Sequence, residues 1–218
     1  MIRVVVFDVG ETLIDESRLW ERWADRLGVP RLTFMGVIGG MAALDRPHWD
    51  AFRTFRPDFD LDAELAAWAA DDPDGRRENF YGDDLYPDAR PALATLREQG
   101  YRVILAGNQP PQAEDALKAM DLPVDGIYTS AGWGVGKPAP GFFAKVAEVA
   151  GCPPAEVCYV GDRLDYDVLP AHRAGFAAVL MRRGPWGYLH AMRPAAAEAD
   201  AVLDRLTDLP DWLAGRGD

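Results

Sequence analysis

Five side chains with the chemistry of a catalytic or metal-binding site lie near short apolar runs of this sequence. Asp8 comes directly after the first run, Asn108 follows another, and Lys137, Asp162 and Asp167 come later in the chain. Three carboxylates and a lysine suit a divalent cation together with an anionic group, because oxygen ligands bind hard cations. Repulsion among the carboxylates would be costly unless a cation or the lysine compensated it. The residue types therefore predict a combined cation and anion site.

The apolar runs have the pattern of strands buried in a parallel sheet. Ile2 to Phe7 is β-branched and apolar, as expected for a strand covered on both faces. Helical patterns alternate with the later runs, which predicts an α/β fold with a doubly wound parallel sheet. The later strands are predicted at 101–106, 126–129, 156–160, 176–181 and 201–202. The carboxyl ends of such strands converge on one cleft, so the five polar side chains should meet there.

A helical stretch rich in aromatic residues separates the first strand from the others. Its apolar residues recur at three-to-four spacing, and Asp60 is positioned to cap one of its helices. Most of its aromatic side chains should form the core of a small helical bundle. We therefore predict a core domain of residues 1–15 and 85–218, and a helical cap of residues 16–84 inserted over the sheet edge.

The acidic composition restricts the partners of the protein. The chain has 218 residues and a formal net charge of −12, with a pI near 4.7. This charge argues against a general binder of nucleic acid or of anionic membranes. A small anionic substrate is still compatible, because a metal ion or local cations can reverse the field inside a cleft.

Cysteine usage and hydropathy indicate the compartment. Cys152 and Cys158 have no companions with metal-ligand spacing, so we expect reduced thiols. No apolar run approaches the length of a membrane span, and the N-terminus lacks the layout of a signal peptide. These features predict a cytoplasmic protein, and the sequence does not specify its oligomeric state.

Four short motifs, in this order, resemble those of the haloacid dehalogenase superfamily of hydrolases. The motifs are Phe7-Asp8-Val9-Gly10-Glu11-Thr12-Leu13, Leu105-Ala106-Gly107-Asn108, Lys137-Pro138-Ala139-Pro140 with Phe143, and Val160-Gly161-Asp162 with Asp167. The resemblance covers nearly the whole chain and is to the variety with a helical cap inserted after the first motif. It implies a Rossmann-like core and hydrolase activity.

The resemblance also implies a role for each matching residue. Asp8 would attack a phosphoryl group, or a carbon atom in the dehalogenase branch, and the ester formed on Asp8 would then be hydrolysed. Lys137 would neutralise the nucleophile and the transferring group. Mg²⁺ would be held by Asp8, the backbone carbonyl of Gly10 and Asp162, with Asp167 ordering the outer shell.

The chain departs from the family pattern at three positions. Phosphatase members carry a second Asp two residues after the nucleophile, as general acid and base, and Gly10 stands there. Glu11 replaces the usual glycine, and Gly107 replaces a serine or threonine that binds the phosphoryl oxygens. Missing acid–base help typically costs about two to four powers of ten in rate. Glu11 could act as the base, and backbone N–H groups of the turn ending at Thr12 and of Asn108 could bind the phosphoryl oxygens.

Three functions remain open on the sequence. The leading one is a Mg²⁺-dependent phosphatase of small phosphorylated metabolites with an aspartate nucleophile. The second is a catalytically weakened protein that binds a phosphometabolite or a protein partner. The third is a haloacid dehalogenase-type or carbon–phosphorus hydrolase, since those branches also lack the second Asp. Asp162 and Asp167 argue against the dehalogenase, and the absence of lysine from residues 16–84 argues against the Schiff base of carbon–phosphorus cleavage.

Overall fold

A computed structural model describes residues 1–216, and six strands within them form a parallel sheet. In chain order the strands are β1 Val4–Phe7, β2 Arg102–Gly107, β3 Gly126–Thr129, β4 Val157–Gly161, β5 Ala177–Met181 and β6 Ala201–Leu203. The order in the sheet is β3-β2-β1-β4-β5-β6. Each neighbouring pair is parallel. The predicted doubly wound α/β fold is confirmed.

Within residues 1–216 the structure contains eleven α-helices, four of them between β1 and residue 80. They are α1 Ser17–Leu27, α2 Arg31–Ala43, α3 Trp49–Phe55, α4 Leu61–Asp71, α5 Ala89–Glu98, α6 Pro111–Ala119, α7 Ser130–Trp133, α8 Pro140–Ala150, α9 Leu169–Arg173, α10 Gly184–His190 and α11 Leu209–Ala214. A π-helical turn, Leu164–Val168, directly precedes α9. Helices α5 to α10 alternate with the strands in sequence, as in a doubly wound sheet, and α11 follows the last strand.

The register of the central strands brings the ends of the motifs together. Phe7 is paired with Leu105 of β2 on one side and with Val160 of β4 on the other. The N–H of Asp8 donates to the carbonyl of Val160 at 2.9 Å, which extends the ladder one residue beyond β1. Because parallel strands end at the same edge, Asp8 lies beside the polar turns that follow β2 and β4.

Apolar packing fixes the helix that follows Lys137 against the sheet. Val6 of β1 and Tyr159 of β4 belong to the same buried cluster as Phe142 and Phe143 of α8. The ring centroid of Phe143 lies 5.4 Å from that of Phe142 and 5.5 Å from that of Tyr159. Full burial of a side chain of this size contributes about 1.5–3 kcal/mol. Since α8 begins three residues after Lys137, this packing also fixes the approach of the lysine to the sheet edge.

The chain divides into two compact units. The first contains residues 1–15 and the chain from Tyr81 onward, and the second contains Glu16–Phe80. The predicted end of the second unit, residue 84, lies four residues after its observed end at Phe80. The difference is the 3-10 turn Gly82–Asp84, which belongs to the first unit. The role of the second unit as a cap remains a prediction.

The second unit has an aromatic core, as its sequence indicated. The Trp23 ring centroid lies 5.0 Å from that of Phe52 and 4.9 Å from that of Trp68. Phe34 packs on Phe52 with centroids 5.2 Å apart. All four rings are buried. The cap of α4 is also as predicted, since Asp60 accepts a hydrogen bond from the N–H of Ala63 at 3.0 Å.

Helix α10 was not predicted from the sequence. It is seven residues long and contains Gly184, Pro185 and Gly187, residues that normally mark turns. A helix this short shows too few apolar repeats for its period to be recognised. The π-helical turn that begins at Leu164 and contains Asp167 was not predicted either.

Both cysteines are free thiols. Cys152 is half-buried and Cys158 is buried, and neither forms a disulfide. Burial raises the pKa of the Cys158 thiol well above its usual range, so the thiol stays protonated. In the part of the chain that the structure describes, no helix combines the length and the apolar character needed to cross a membrane.

Candidate active site

Asp8 begins a tight turn at the carboxyl edge of the sheet. The N–H groups of Leu13 and Ile14 both donate to the carbonyl of Val9, at 2.9 and 3.0 Å, which folds the chain back after β1. Glu11 in this turn has a φ of 49°, a left-handed conformation that costs a residue with a side chain about 1–2 kcal/mol. Strained residues of this kind concentrate at functional sites.

Lys137 holds two carboxylates together. Its Nζ lies 2.6 Å from Oδ1 of Asp8 and 2.6 Å from Oδ1 of Asp167, and its side chain is 3% exposed. Burial opposes the charged form of Lys137, but the negative charges of Asp167 and Asp8 outweigh burial and raise the pKa of the lysine well above its usual range. The lysine is therefore a fixed cation between the two carboxylates.

Asn108 fixes the backbone of Lys137 from the end of β2. Its Oδ1 accepts a hydrogen bond from the N–H of Lys137 at 2.7 Å, and its Nδ2 donates to the carbonyl of Lys137 at 2.9 Å. A Cβ on Gly136 would lie 2.8 Å from that Oδ1, so the glycine leaves room for the amide. The side chain of Asn108 thus positions the lysine, which leaves its backbone N–H for the predicted contact with substrate.

The fourth motif places two further carboxylates beside Asp8. Carboxylate oxygens of Asp8, Asp162 and Asp167 all lie within 4.8 Å of one another. Oδ2 of Asp167 accepts a hydrogen bond from the N–H of Arg163 at 2.9 Å. Burial raises the pKa of Asp167 to about 6, although the charge of Lys137 opposes the rise. Asp167 is thus fixed from two sides, as a residue that orders the surroundings of a metal would be.

Asp162 is the carboxylate of this group that lacks a bonded partner. It is 4% exposed, and among residues 1–216 no hydrogen bond or ion pair to its carboxylate is found. Burial and the negative charge of neighbouring carboxylates, Asp167 first, raise the pKa of Asp162 well above its usual range. Three buried carboxylates with one lysine are a donor set that fits a divalent cation such as Mg²⁺. The carbonyl of Gly10 remains a predicted ligand.

Glu11 turns its carboxylate into the protein. It is 7% exposed, and its Oε2 accepts a hydrogen bond from the hydroxyl of Tyr86 at 2.6 Å. Burial and the charge of Glu11 raise the pKa of Tyr86 above its usual range, so the phenol stays protonated and donates. A Cβ on Gly184 would lie 2.6 Å from Cγ of Glu11, so the glycine makes room for it. The charge of Glu11 also raises the pKa of Asp162, which shows that it acts on the acidic group.

Gly107 and Thr12 lie in the motifs that surround Asp8. A Cβ on Gly107 would lie 2.5 Å from Oδ1 of Asp8, so a serine or threonine there would displace that oxygen from its place beside Lys137. Thr12 is buried, and within residues 1–216 its Oγ1 makes no hydrogen bond. Such a hydroxyl costs about 1–3 kcal/mol when it stays unpaired. Thr12 is therefore a polar group that a bound ligand or water would satisfy.

Sequence reasoning missed three residues around the site. Tyr86 was interpreted only as the start of the unit that follows the helical stretch, and Arg183 and His190 lie in a segment without a predicted element. Arg183 forms an ion pair with Asp88, and its guanidinium lies 4.3 Å from the centroid of the Tyr86 ring. Its Nη1 also donates to the carbonyl of Thr12 at 3.0 Å. The one hint in the sequence was that residues 182–187, for which no element was predicted, are rich in arginine and glycine and include a tryptophan.

The comparison with known families agrees with this geometry. A family model for haloacid dehalogenase-like hydrolases matches residues 2–175. The chain belongs to that family. The matched region contains all four motifs, from Asp8 to Asp167, so the predicted family is confirmed, and the protein is a hydrolase.

Several relatives of this chain are named phosphatases, and solved structures share its fold. The glyceraldehyde 3-phosphate phosphatase of Methanopyrus kandleri is 31% identical over 85% of this chain and 86% of that protein. The protein of the same name from Pyrococcus furiosus is 28% identical over 97% of this chain and 92% of that protein. The L-2-haloacid dehalogenase of Xanthobacter autotrophicus superposes with a TM-score of 0.66 at 23% identity, with 99% of each chain covered. That last likeness concerns the fold alone.

Proposed function

We propose that this hydrolase is a Mg²⁺-dependent phosphatase of small phosphorylated metabolites, with Asp8 as its nucleophile. The observation that carries the proposal is the placement of Asp8. Lys137 holds its Oδ1 at 2.6 Å, and its Oδ2 has no hydrogen bond among residues 1–216. The names of the relatives from M. kandleri and P. furiosus support phosphoryl chemistry.

In the proposed reaction, Oδ2 of Asp8 attacks the phosphorus atom, and the bond between phosphorus and the ester oxygen breaks. The leaving oxygen takes up a proton from solvent water, and the phosphoryl group stays on Asp8 as an acyl phosphate. Water then attacks this phosphorus, which releases inorganic phosphate and restores the carboxylate. Lys137 keeps Asp8 in its rotamer, and the backbone N–H groups of Gly10 and Asn108 donate to the phosphoryl oxygens. The N–H groups of Glu11 and Thr12 instead donate within the turn, to the carbonyls of Ile14 and Val9.

Asp8 and Asp162, with the carbonyl of Gly10, are the groups that would hold Mg²⁺. Asp167 would orient them from its bonds to Lys137 and the following backbone. When bound, the ion supplies positive charge that offsets the carboxylates and the phosphoryl oxygens. Three carboxylates against one lysine would otherwise repel an anionic substrate.

We assign the role of base to Glu11. Its carboxylate is buried one residue after Gly10, where the usual acid–base residue is missing, and the hydroxyl of Tyr86 bonds it at 2.6 Å. The Tyr86 hydroxyl holds the carboxylate in place, and as a base Glu11 would take a proton from the attacking water. The leaving group then has no dedicated proton donor. Turnover should therefore favour leaving groups that need no proton, such as aryl phosphates.

The experiment that tests the proposal is a substrate screen with and without Mg²⁺, run on the wild type and on Asp8→Asn. The substrates are glyceraldehyde 3-phosphate, other phosphorylated metabolites, an aryl phosphate and a 2-haloacid. We expect phosphate release that needs Mg²⁺, and a phosphorylated Asp8 detected by mass spectrometry after rapid quench. Asp8→Asn should lose all measurable turnover. Activity above about a tenth of wild type, a barrier change below about 1.4 kcal/mol, would mean that Asp8 is not the nucleophile.

A matched pair of variants tests the assignment of Glu11. Glu11→Gln should slow hydrolysis of the phosphorylated intermediate while leaving its formation intact. Gly10→Asp combined with Glu11→Gly restores the usual family pattern and should raise turnover, above all for substrates with poor leaving groups. Full activity in Glu11→Gln would remove Glu11 from the mechanism.

A weakened protein that binds a phosphometabolite is the second candidate. Two departures favour it, since Gly10 and Gly107 remove a carboxylate and a hydroxyl that phosphatases of the family use. The screen separates the two candidates, because calorimetric binding of a phosphate ester without turnover, and without a covalent intermediate, would favour binding. Release of halide from the 2-haloacid would instead favour the dehalogenase chemistry.

A further inference from the structure

His190, the last residue of α10, contacts the acidic part of the site although it belongs to none of the four motifs. It is fully buried, and its Nδ1 accepts a hydrogen bond from the backbone N–H of Leu164 at 3.0 Å. Leu164 lies two residues after Asp162 and opens the π-helical turn that contains Asp167. The imidazole therefore contacts the backbone that joins two carboxylates of the proposed metal site.

Two consecutive N–H groups of this segment have different acceptors. The N–H of Arg163 donates to Oδ2 of Asp167 at 2.9 Å, within the segment, whereas the N–H of Leu164 donates outward to His190. Buried backbone N–H groups nearly always have an acceptor, because an unpaired one is costly away from water. The first bond depends on where Asp167 lies. The bond from Leu164 to His190 fixes the segment to α10 and does not depend on the positions of the acidic side chains.

The contact also defines the tautomer of the imidazole. A ring nitrogen that accepts a hydrogen bond carries no proton, so neutral His190 has its proton on Nε2. Oδ1 of Asp165 lies 3.9 Å from the same Nδ1, beyond hydrogen-bond distance. The backbone N–H of Leu164 is therefore the hydrogen-bond donor to Nδ1.

Gly187, one helical turn before His190, brings the backbone of α10 against the same segment. A Cβ on Gly187 would lie 3.1 Å from the carbonyl oxygen of Asp162 and 3.3 Å from the Cβ of Asp162. Residues three apart lie on the same face of a helix. One face of α10 thus contacts the acidic segment at Asp162 and again at Leu164.

We propose that His190 is a positioning residue for the acidic group. As the Nε2–H tautomer it holds the amide of Leu164, and this keeps Asp162 and Asp167 turned toward Asp8. It acts through the backbone of the segment. The proposal rests on the proposed function only in treating these carboxylates as a Mg²⁺ site.

Two substitutions separate the acceptor from the size of the side chain. His190→Asn keeps an acceptor oxygen close to the position of Nδ1, and His190→Leu keeps the bulk without an acceptor. In calorimetric titrations with Mg²⁺, we expect His190→Leu to bind at least about ten-fold more weakly than wild type, as is usual when a partner behind metal ligands is lost. His190→Asn should regain most of that affinity. His172→Leu, which removes a more exposed histidine of α9, is the control and should bind like wild type.

A second readout needs no metal. Nitrogen NMR of the imidazole should show a proton on Nε2 and none on Nδ1. Exchange of the Leu164 amide should be slow in wild type and in His190→Asn, and fast in His190→Leu. If His190→Leu does not fold, the proposal is still tested by the position of the imidazole proton and by the Mg²⁺ affinity of His190→Asn.

Three results would overturn the proposal. They are a proton on Nδ1, a folded His190→Leu with wild-type affinity and slow Leu164 exchange, and equal weakening of both variants. If the wild type itself binds no Mg²⁺, the proposed cofactor fails, and the exchange of the Leu164 amide alone then decides the role of His190.

Discussion

Lys137 pairs with Asp8 and Asp167 at 2.6 Å each while 3% of its side chain is exposed, and Asp162 beside them has no bonded partner within the described residues 1–216. Removing one member of a buried ion pair usually destabilises more than the pair stabilises, because an uncompensated charge stays behind. The lysine is therefore needed for the fold of the apoprotein, apart from its role in the proposed chemistry. Its role in stability can be measured without a substrate.

Lys137→Met keeps the length of the side chain and removes its charge, so three carboxylates would face one another uncompensated. We expect the free energy of unfolding to fall by about 3–5 kcal/mol, and turnover to be lost. Urea denaturation followed by circular dichroism measures the first effect. Lys145→Met is the control, since Lys145 forms an exposed pair with Glu148 and should cost less than about 1 kcal/mol. Equal effects of the two substitutions would contradict this account of the buried lysine.

The sequence predicted the residues that stand at strand ends and missed those that reach the site from elsewhere. Asp8, Asp162 and Asp167 could be placed because a buried run and a polar turn mark each one. Tyr86 bonds Glu11 across 75 positions of the chain, and His190 bonds Leu164 across 26. Pairings over such distances depend on how helices pack on the sheet, and no local pattern encodes that packing.

Helix α10 shows how glycine sets the distance between an element and the site. Gly187 packs against the backbone carbonyls of Met181 and Asp162, with the second 3.1 Å from where a Cβ would lie. Backbone atoms cannot rotate away as the end of a side chain can. Gly36 in α2 is the opposite case, because a Cβ there would meet nothing within 4 Å.

Substituting alanine at these two glycines should change stability in opposite directions. Gly187→Ala forces α10 away from β4 and β5 and should lower the free energy of unfolding by about 1–3 kcal/mol. Gly36→Ala lies in the exposed interior of a helix and should raise it by about 0.5–1 kcal/mol. Chemical denaturation of both variants under one condition measures the difference. A Gly187→Ala protein as stable as wild type would show that α10 can shift freely.

The strands were predicted to within about two residues at each end, and β1, β2, β4 and β5 are largely buried runs that stop at a polar turn. The edges of helices were less predictable, and α10 was missed altogether. Its sequence, Gly184-Pro185-Trp186-Gly187, has the residues of a loop and becomes helical because the sheet edge and the acidic segment pack against it. Tertiary packing overrides local propensity there.

In the molecule as a whole, Asp200 ties distant parts of the first unit together. It accepts hydrogen bonds from the N–H of Ala178 in β5 at 2.9 Å, from Nε2 of His172 at 2.8 Å and from Arg216 at 2.6 Å. Burial alone would raise the pKa of Asp200, but these three donors together hold it below its usual range. The carboxylate therefore joins α9, β5 and the end of the described chain.

The depressed pKa of Asp200 makes stability depend on pH in a defined direction. A carboxyl whose pKa is lower in the folded protein stabilises it above the ordinary pKa of about 3.9, and this contribution is lost as the pH falls through the folded value. Asp200→Asn should therefore flatten the fall in unfolding free energy below about pH 4. Asp74→Asn, at an exposed loop, is the control and should keep the wild-type slope. Parallel slopes for wild type and Asp200→Asn would contradict the assignment.

Asp162 connects the stability of the whole molecule to the proposed metal. An acid whose pKa rises on folding binds protons more tightly in the folded state, so its charge destabilises the folded apoprotein at neutral pH. A ligand that binds only the folded state stabilises it by about 2.7 kcal/mol at a hundred times its dissociation constant. With a cation bound at Asp162, this carboxylate would therefore stabilise the folded protein, whereas without the cation it destabilises it.

Asp162→Asn should accordingly have two opposite effects on thermal unfolding. Without Mg²⁺, the variant should unfold at a higher temperature than wild type, because an uncompensated buried charge is gone. With saturating Mg²⁺, the wild type should gain stability and the variant should not, so that their order is inverted. Asp165→Asn is the control, since that residue lies in the same segment, is 43% exposed and pairs with Arg163; it should keep the response to Mg²⁺. If Asp162→Asn responds to Mg²⁺ as wild type does, the ion binds elsewhere. The negative charge of the three carboxylates must then be compensated by Lys137 alone.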